Sequence, residues 1–172
     1  MIDIVRCVID GKIKAHGIEL GFSSTLSKKE INIKEGNTED KNRNYFSDKS
    51  VDIVMNPEIK TDRDKIHYRK SGMNQVFAKL AKEKDIAVGF GFSFILNADS
   101  IKRSEILGKM RQNVRICRKA KCKMIVCSYA NDYREMRGAK DLLSFARIIG
   151  MTPGEAKKAL EWKRDKKKIR FV

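Results

Sequence analysis

Arg111, Arg115 and Arg118 recur at i, i+4 and i+7 in a stretch that reads as a long helix. That spacing sets them on one ridge, about a quarter-turn from an apolar stripe of Leu107, Met110, Val114 and Cys117. A guanidinium donates two parallel hydrogen bonds to a phosphate and stacks on unpaired bases, so the ridge predicts contact with RNA or phosphate. The plainer reading is a solvated helix face balanced by acids, yet Glu105 is the only acid between Ser100 and Lys121. Arg134, Arg137, Lys140 and Arg147 follow the next apolar strand, on the side where α/β folds collect ligands, and are expected to touch RNA as well. For Arg137 the sequence leaves two roles open: RNA contact, or an ion pair with Asp141 that fixes the loop. Lys163, Arg164, Lys166, Lys167, Lys168 and Arg170 form a basic cluster near the end of the chain, an electrostatic anchor indifferent to nucleotide sequence. Ile169, Phe171 and Val172 alternate with Arg170 and read as a short strand tying that cluster to the body.

Side-chain catalysis has a weaker footing. A metal-dependent phosphoesterase gathers several histidines and carboxylates around two or three metal ions that activate water. This chain has two histidines, His16 and His67, and no His-x-His pair. Asp3, Asp52 and Glu58 stand near predicted strand ends, where isolated carboxylates are common, and none is read as catalytic. Cys117, Cys122 and Cys127 recur every five residues. Structural zinc ligands come in short pairs from turns, whereas Cys117 belongs to the apolar stripe and Cys127 to an apolar strand, so core thiols are expected and no metal site. There is no phosphate-binding Gly-x-x-x-x-Gly-Lys loop, and Gly89-Phe90-Gly91 lacks a third glycine, so no cofactor is expected in this chain.

Charge points to the same class of partner. Net charge is +16 over 172 residues, where a magnitude of about 2 to 8 suffices for solubility. Residues 1–50 contribute +1, residues 51–98 contribute +2 and residues 99–172 contribute +13. A polyanion facing one side of the fold explains such an imbalance. Four cysteines in this length suit the cytoplasm better than a secreted disulfide scaffold, and no signal peptide or apolar run of about 18 residues is seen, so no membrane partner is expected.

The elements that must position these residues read as follows. Ile2 to Ile9 is rich in Ile and Val, and Asp10-Gly11 offers turn chemistry before residues 12–16, which predicts strand, turn, strand. Residues 35–50 are polar, with a short helix from Thr38 and little core. Val51 to Met55, Ile86 to Phe90 and Met124 to Cys127 are continuous apolar runs, typical of strands buried on both faces. Helices are expected from about Gly72, from Asp99 to Lys121, from Leu142 to Ile149 and, behind a Thr152-Pro153-Gly154-Glu155 capping box, to about Lys163. The alternation implies one α/β domain over residues 1–172, a parallel sheet covered by helices.

Three segments resemble the archaeal ribonuclease P protein component 3 family: Val51-Asp52-Ile53-Val54-Met55-Asn56-Pro57-Glu58, Ser71 through Ala81, and Glu135-Met136-Arg137 through Gly150-Met151. Residues 88–93 and 110–115 fit between them, so the likeness spans about residues 51–151, ahead of a basic C-terminal part at 152–172. The resemblance implies a TIM-barrel-like fold of the polymerase-and-histidinol-phosphatase type, with the barrel incomplete on its N-terminal side. It also implies a subunit that supports a catalytic RNA in removing 5′ leaders from precursor tRNA. Implied partners are the ribonuclease P RNA, ribonuclease P protein component 2 and other ribonuclease P proteins, with Mg²⁺ bound by the RNA. Two other functions remain to be weighed, a free-standing metal-dependent phosphoesterase and a generic basic RNA-binding module.

Overall fold

A computed structural model describes residues 1–61, 64 and 69–162. Each strand but one hands over to a helix: β1 (Ile2–Val5), α1 (Gly11–Glu19), β2 (Ser24–Ser27), β3 (Ile33–Glu35), α2 (Glu39–Ser47), β4 (Ile53–Met55), α3 (Gln75–Lys84), β5 (Ala87–Gly91), α4 (Ser93–Leu96), α5 (Ser100–Ala120), β6 (Met124–Cys127), α6 (Ala139–Ile148) and α7 (Pro153–Leu160). Among the described residues all ladders are parallel: β1 pairs with β2, and β3, β4, β5 and β6 pair in sequence order.

The two sheets meet where the first strand reaches the chain just after the sixth. Tyr129 N donates to Ile4 O at 2.9 Å, and Arg6 N donates to Ala130 O at 2.9 Å. The strands thus run round in the order β2, β1, β6, β5, β4, β3, and their side chains divide into two sets. Ile4, Leu26, Ile33, Ile53, Met55, Ala87, Ile125 and Cys127 meet in one inner cluster, which the half-buried Trp162 also joins. Val54, Val88, Phe90 and Val126 point the other way and pack against the helices. Strand alternation on a curled parallel sheet produces this split, and the result is a TIM-barrel-like wall coated by helices. Among the described residues β2 and β3 do not pair, so the described wall is open between them. Adjacent parallel strands need a crossover of about a dozen residues, and only residues 28–32 connect these two. That link instead carries Ile31 into the inner cluster.

Several predicted elements change in the structure. Residues 12–16 are helical, because the Asp10 side chain accepts from Ile13 N at 2.8 Å and caps α1 in place of closing a hairpin. The segment 35–50 carries more core than its polarity suggests: Phe46 is fully buried and stacks on Phe77 at 5.9 Å, and Asn42 is fully buried too. On α5 Met110, Val114 and Cys117 are buried as the stripe predicts, Leu107 is half-buried, and Ile106 and the polar Lys109 and Asn113, outside the predicted stripe, are buried with them. The capping box at Thr152 is present as read, and α7 ends at Leu160. No described helix is long and apolar enough to cross a membrane. His67 and the predicted strand at 169–172 lie outside the described residues.

Candidate nucleic-acid interface

The three arginines of α5 fare differently. Arg118 is fixed: its Nε donates to Glu155 Oε1 at 2.8 Å, and its Nη2 to Glu155 Oε2 at 2.6 Å and to Gly150 O at 2.7 Å. That fork holds the Glu155 carboxyl down at about 2 and binds α5 to the start of α7. Arg111 Nε donates to Ile148 O at 2.8 Å, covering a carbonyl left over at the end of α6. Arg115 is exposed and makes no ion pair among the described residues. The predicted outward ridge is therefore split, with two arginines turned towards α6 and α7 and one left to solvent.

Residues after β6 divide similarly. Arg137 Nη1 donates to Arg134 O at 3.0 Å and to Met136 O at 2.7 Å, and its guanidinium lies 5.6 Å from the Phe92 ring centroid. Backbone carbonyls, not the Asp141 carboxylate, are what it grips, so loop support is the role its geometry gives. Arg134 is exposed beside Tyr133, donating to its hydroxyl at 3.2 Å. Lys140 and Arg147 are exposed on α6. Lys163, Arg164, Lys166, Lys167, Lys168 and Arg170 lie outside the described residues.

Sequence reading passed over two further groups of cations. At the C-terminal mouth of the barrel, Glu35 accepts from Arg6, Lys28 and the Tyr129 hydroxyl at 3.0, 3.3 and 2.9 Å. Burial pushes its carboxyl up, but the Tyr129 hydrogen bond and the two cations outweigh that and hold it below the usual range. Tyr129 sits in left-handed backbone at φ +50, an uncommon state for an aromatic residue. It is pinned there by its N–H on Ile4 and by the Ser93 hydroxyl on its carbonyl at 2.8 Å. The second group lines a cavity of about 320 Å³ between the β4–α3 connection and α5, where Lys60, Arg69 and Lys70 stand with Thr61, Ser71 and Gln112. No periodicity marks residues 57–71, so nothing in the sequence singled these three out.

The carboxylates weighed as metal ligands have separate local duties. Asp3 accepts from Ser128 N at 2.7 Å, Ser128 Oγ at 2.6 Å and Ile4 N at 2.9 Å; burial raises it to about 6 against those bonds. Asp52 accepts from Asn32 N at 3.0 Å. Glu58 is fully buried and accepts from Asn113 Nδ2 at 3.0 Å, and burial pushes its carboxyl up to about 8. Among the described residues no three His, Cys, Asp or Glu side chains come together to hold a metal ion. Cys117, Cys122 and Cys127 are buried free thiols.

Comparison with known proteins supplies a family. A family model described as RNase P subunit p30 matches residues 5–165, well beyond the 51–151 stretch that carried the resemblance. A Methanosarcina mazei protein named ribonuclease P protein component 3 is 28% identical over 156 residues, covering 91% of this chain and 61% of that protein. The namesake from Thermococcus kodakarensis is 32% identical over 91 residues, 53% of this chain and 41% of that one. The chain thus spans about three fifths of the length of the first of these relatives. A chain in a cryo-EM structure of archaeal ribonuclease P with mature tRNA has the same fold, with a TM-score of 0.76 at 22% identity over 94% of this chain and 87% of that one. With its matched region running from the first strand past the last described helix, the chain belongs to the RNase P subunit p30 family.

Proposed function

We propose that this chain acts as a protein subunit of ribonuclease P in the cytoplasm, supporting a catalytic RNA as it removes 5′ leaders from precursor tRNA. The family match over residues 5–165 carries the reading, and the charge agrees with it, since +13 of the +16 lies in residues 99–172. In this role the chain contributes cations and a rigid barrel, while Mg²⁺ and the chemistry belong to the RNA. Ribonuclease P protein component 2 and other ribonuclease P proteins are its proposed neighbours. The RNA contacts assigned to it are Arg115, Arg134, Lys140 and Arg147, with the basic cluster at Lys163, Arg164, Lys166, Lys167, Lys168 and Arg170. Arg111, Arg118 and Arg137 contribute mainly by holding the elements that carry those contacts.

Reconstitution tests this. Leaving the chain out of a mixture of ribonuclease P RNA and the remaining protein subunits should slow precursor-tRNA cleavage or raise the Mg²⁺ it needs. Cleavage at an unchanged rate and Mg²⁺ demand would rule the role out.

A further inference from the structure

The described residues between β4 and α3 form neither helix nor strand, yet they are held on both sides by polar side chains, most of them buried. From α5, Asn113 Nδ2 donates to Glu58 Oε2 at 3.0 Å and to Ser71 O at 2.9 Å, and Gln112 Nε2 donates to Arg69 O at 3.1 Å. Lys109, itself buried, donates to the Thr61 hydroxyl at 3.0 Å and pairs with Glu105 at 2.7 Å. From α2, the buried Asn42 amide donates to Pro57 O at 3.0 Å and to Gly72 O at 3.1 Å. Gly72 (φ +68) lies so close to the Pro57 carbonyl that a side chain there would collide with it. Buried hydrogen bonds of this kind fix position, because breaking any one strands a desolvated polar atom.

What this framework presents to solvent is positive. Lys60, Arg69 and Lys70 line the cavity; Glu39, held by Asn74 at 3.4 Å, is the one acid among its described lining residues, and Asp64 lies 3.9 Å from Arg69. On α5 the adjoining surface continues through Gly108, Gln112, Arg115 and Lys119, a spacing of four, three and four residues that keeps one helical face. The glycine in that row has a use. A Cβ on Gly108 would overlap the Arg69 guanidinium, so its absence lets Arg69 lie across the helix. Glycine inside a helix is disfavoured relative to alanine, and here it makes room for a cation. Arg115, Lys119 and Lys60 have no ion-pair partner among the described residues.

We propose that this cleft binds the phosphodiester backbone of folded RNA, with Lys60, Arg69 and Lys70 contacting phosphates within it and Arg115 and Lys119 contacting them on the adjoining face of α5. The inference rests on the ribonuclease P reading and adds a location to it. The site is built by the β4–α3 connection and α5, apart from the loop after β6.

Binding of the full chain to an archaeal ribonuclease P RNA transcript, titrated across a salt series, tests the site. Lys60→Ala with Arg69→Ala should weaken binding roughly ten-fold and flatten the log–log salt dependence by about 1.5. Lys12→Ala with Lys14→Ala on α1 removes the same charge and should change affinity less than about two-fold. Gly108→Ala keeps every cation and improves helix propensity, so it should melt no lower than the parent yet bind about three-fold more weakly, because the added methyl displaces Arg69. Equal losses in the two double variants, or no loss in Gly108→Ala, would overturn the site while leaving the ribonuclease P role intact. So would loss of a protein subunit with RNA affinity unchanged. A parent chain that does not bind the RNA would overturn both.

Discussion

Arg115 and Arg118 are neighbours on one helix with the same side chain, and the structure gives them opposite prospects. Arg118 makes a two-pronged pair with Glu155 that is partly open to water, which is worth about 1 kcal/mol after screening. Arg118→Ala should therefore lower stability by about that amount and barely touch RNA affinity, while Arg115→Ala should do the reverse; denaturant melts and RNA titrations on both variants separate the two. Residue chemistry also fixes a pH dependence. Among the described residues Glu58 Oε1 and Asn113 Oδ1 are buried acceptors without a donor, and both belong to the same hydrogen-bonded pair. With burial pushing Glu58 to about 8, the carboxyl is a neutral acid at pH 7 and carries a donor that the pair otherwise lacks. The ordinary value is 4.5, so the folded chain keeps a proton that the unfolded chain has released. That contribution is complete below about 4.5 and is lost as pH rises through about 8, by a few kcal/mol in all. Denaturation midpoints measured across this range should fall in the parent, and Glu58→Gln should remove Glu58's share of the slope.

At the scale of elements, the cap at the start of α7 offers the cleanest test. Thr152 accepts from Glu155 N and Glu155 accepts from Thr152 N, while Arg118 leans on the same carboxylate. Thr152→Ala should cost about 1 kcal/mol, and a thermal melt should move down by about 2–4 °C. This box was legible in the sequence because its parts are four consecutive residues. β4, β5 and β6 were legible for a related reason, since strands covered on both faces are unbroken runs of apolar side chains. Other elements were hidden by what lies far away in the chain. Asp10-Gly11 suits a hairpin turn and a helix start equally well, and the helix is favoured by contacts of Ile13 with Val5, Ala130 and Met136 that no local pattern shows. Asn42 and Phe46 look like surface in a polar segment until Pro57, Gly72 and Phe77 close over them. The arginine ridge was read correctly as helical, but helical spacing alone does not say that Glu155, 37 residues later, would claim one member. Lys60, Arg69 and Lys70 are joined only by the tertiary scaffold around Asn113, so no local pattern announces them.

For the molecule as a whole, charge governs association and the joining of the two sheets governs assembly of the fold. If about six cations neutralise phosphates, RNA affinity should fall with a log–log slope of roughly −4 to −5 against salt concentration. A slope near zero in a salt titration would mean that the excess of +16 serves something other than phosphate contact. The meeting of the first strand with the chain after the sixth has a temporal side. Asp3 and Ser128 are 125 residues apart, yet the Asp3 carboxylate binds both the amide and the hydroxyl of Ser128. A polypeptide leaving a ribosome cannot make that contact until about three quarters of these 172 residues have emerged. Until then β1 has β2 beside it and an uncovered edge on the other side, and the long loop to be closed makes the last step slow. During synthesis β1 thus waits for the chain beyond β6 before its second edge is covered.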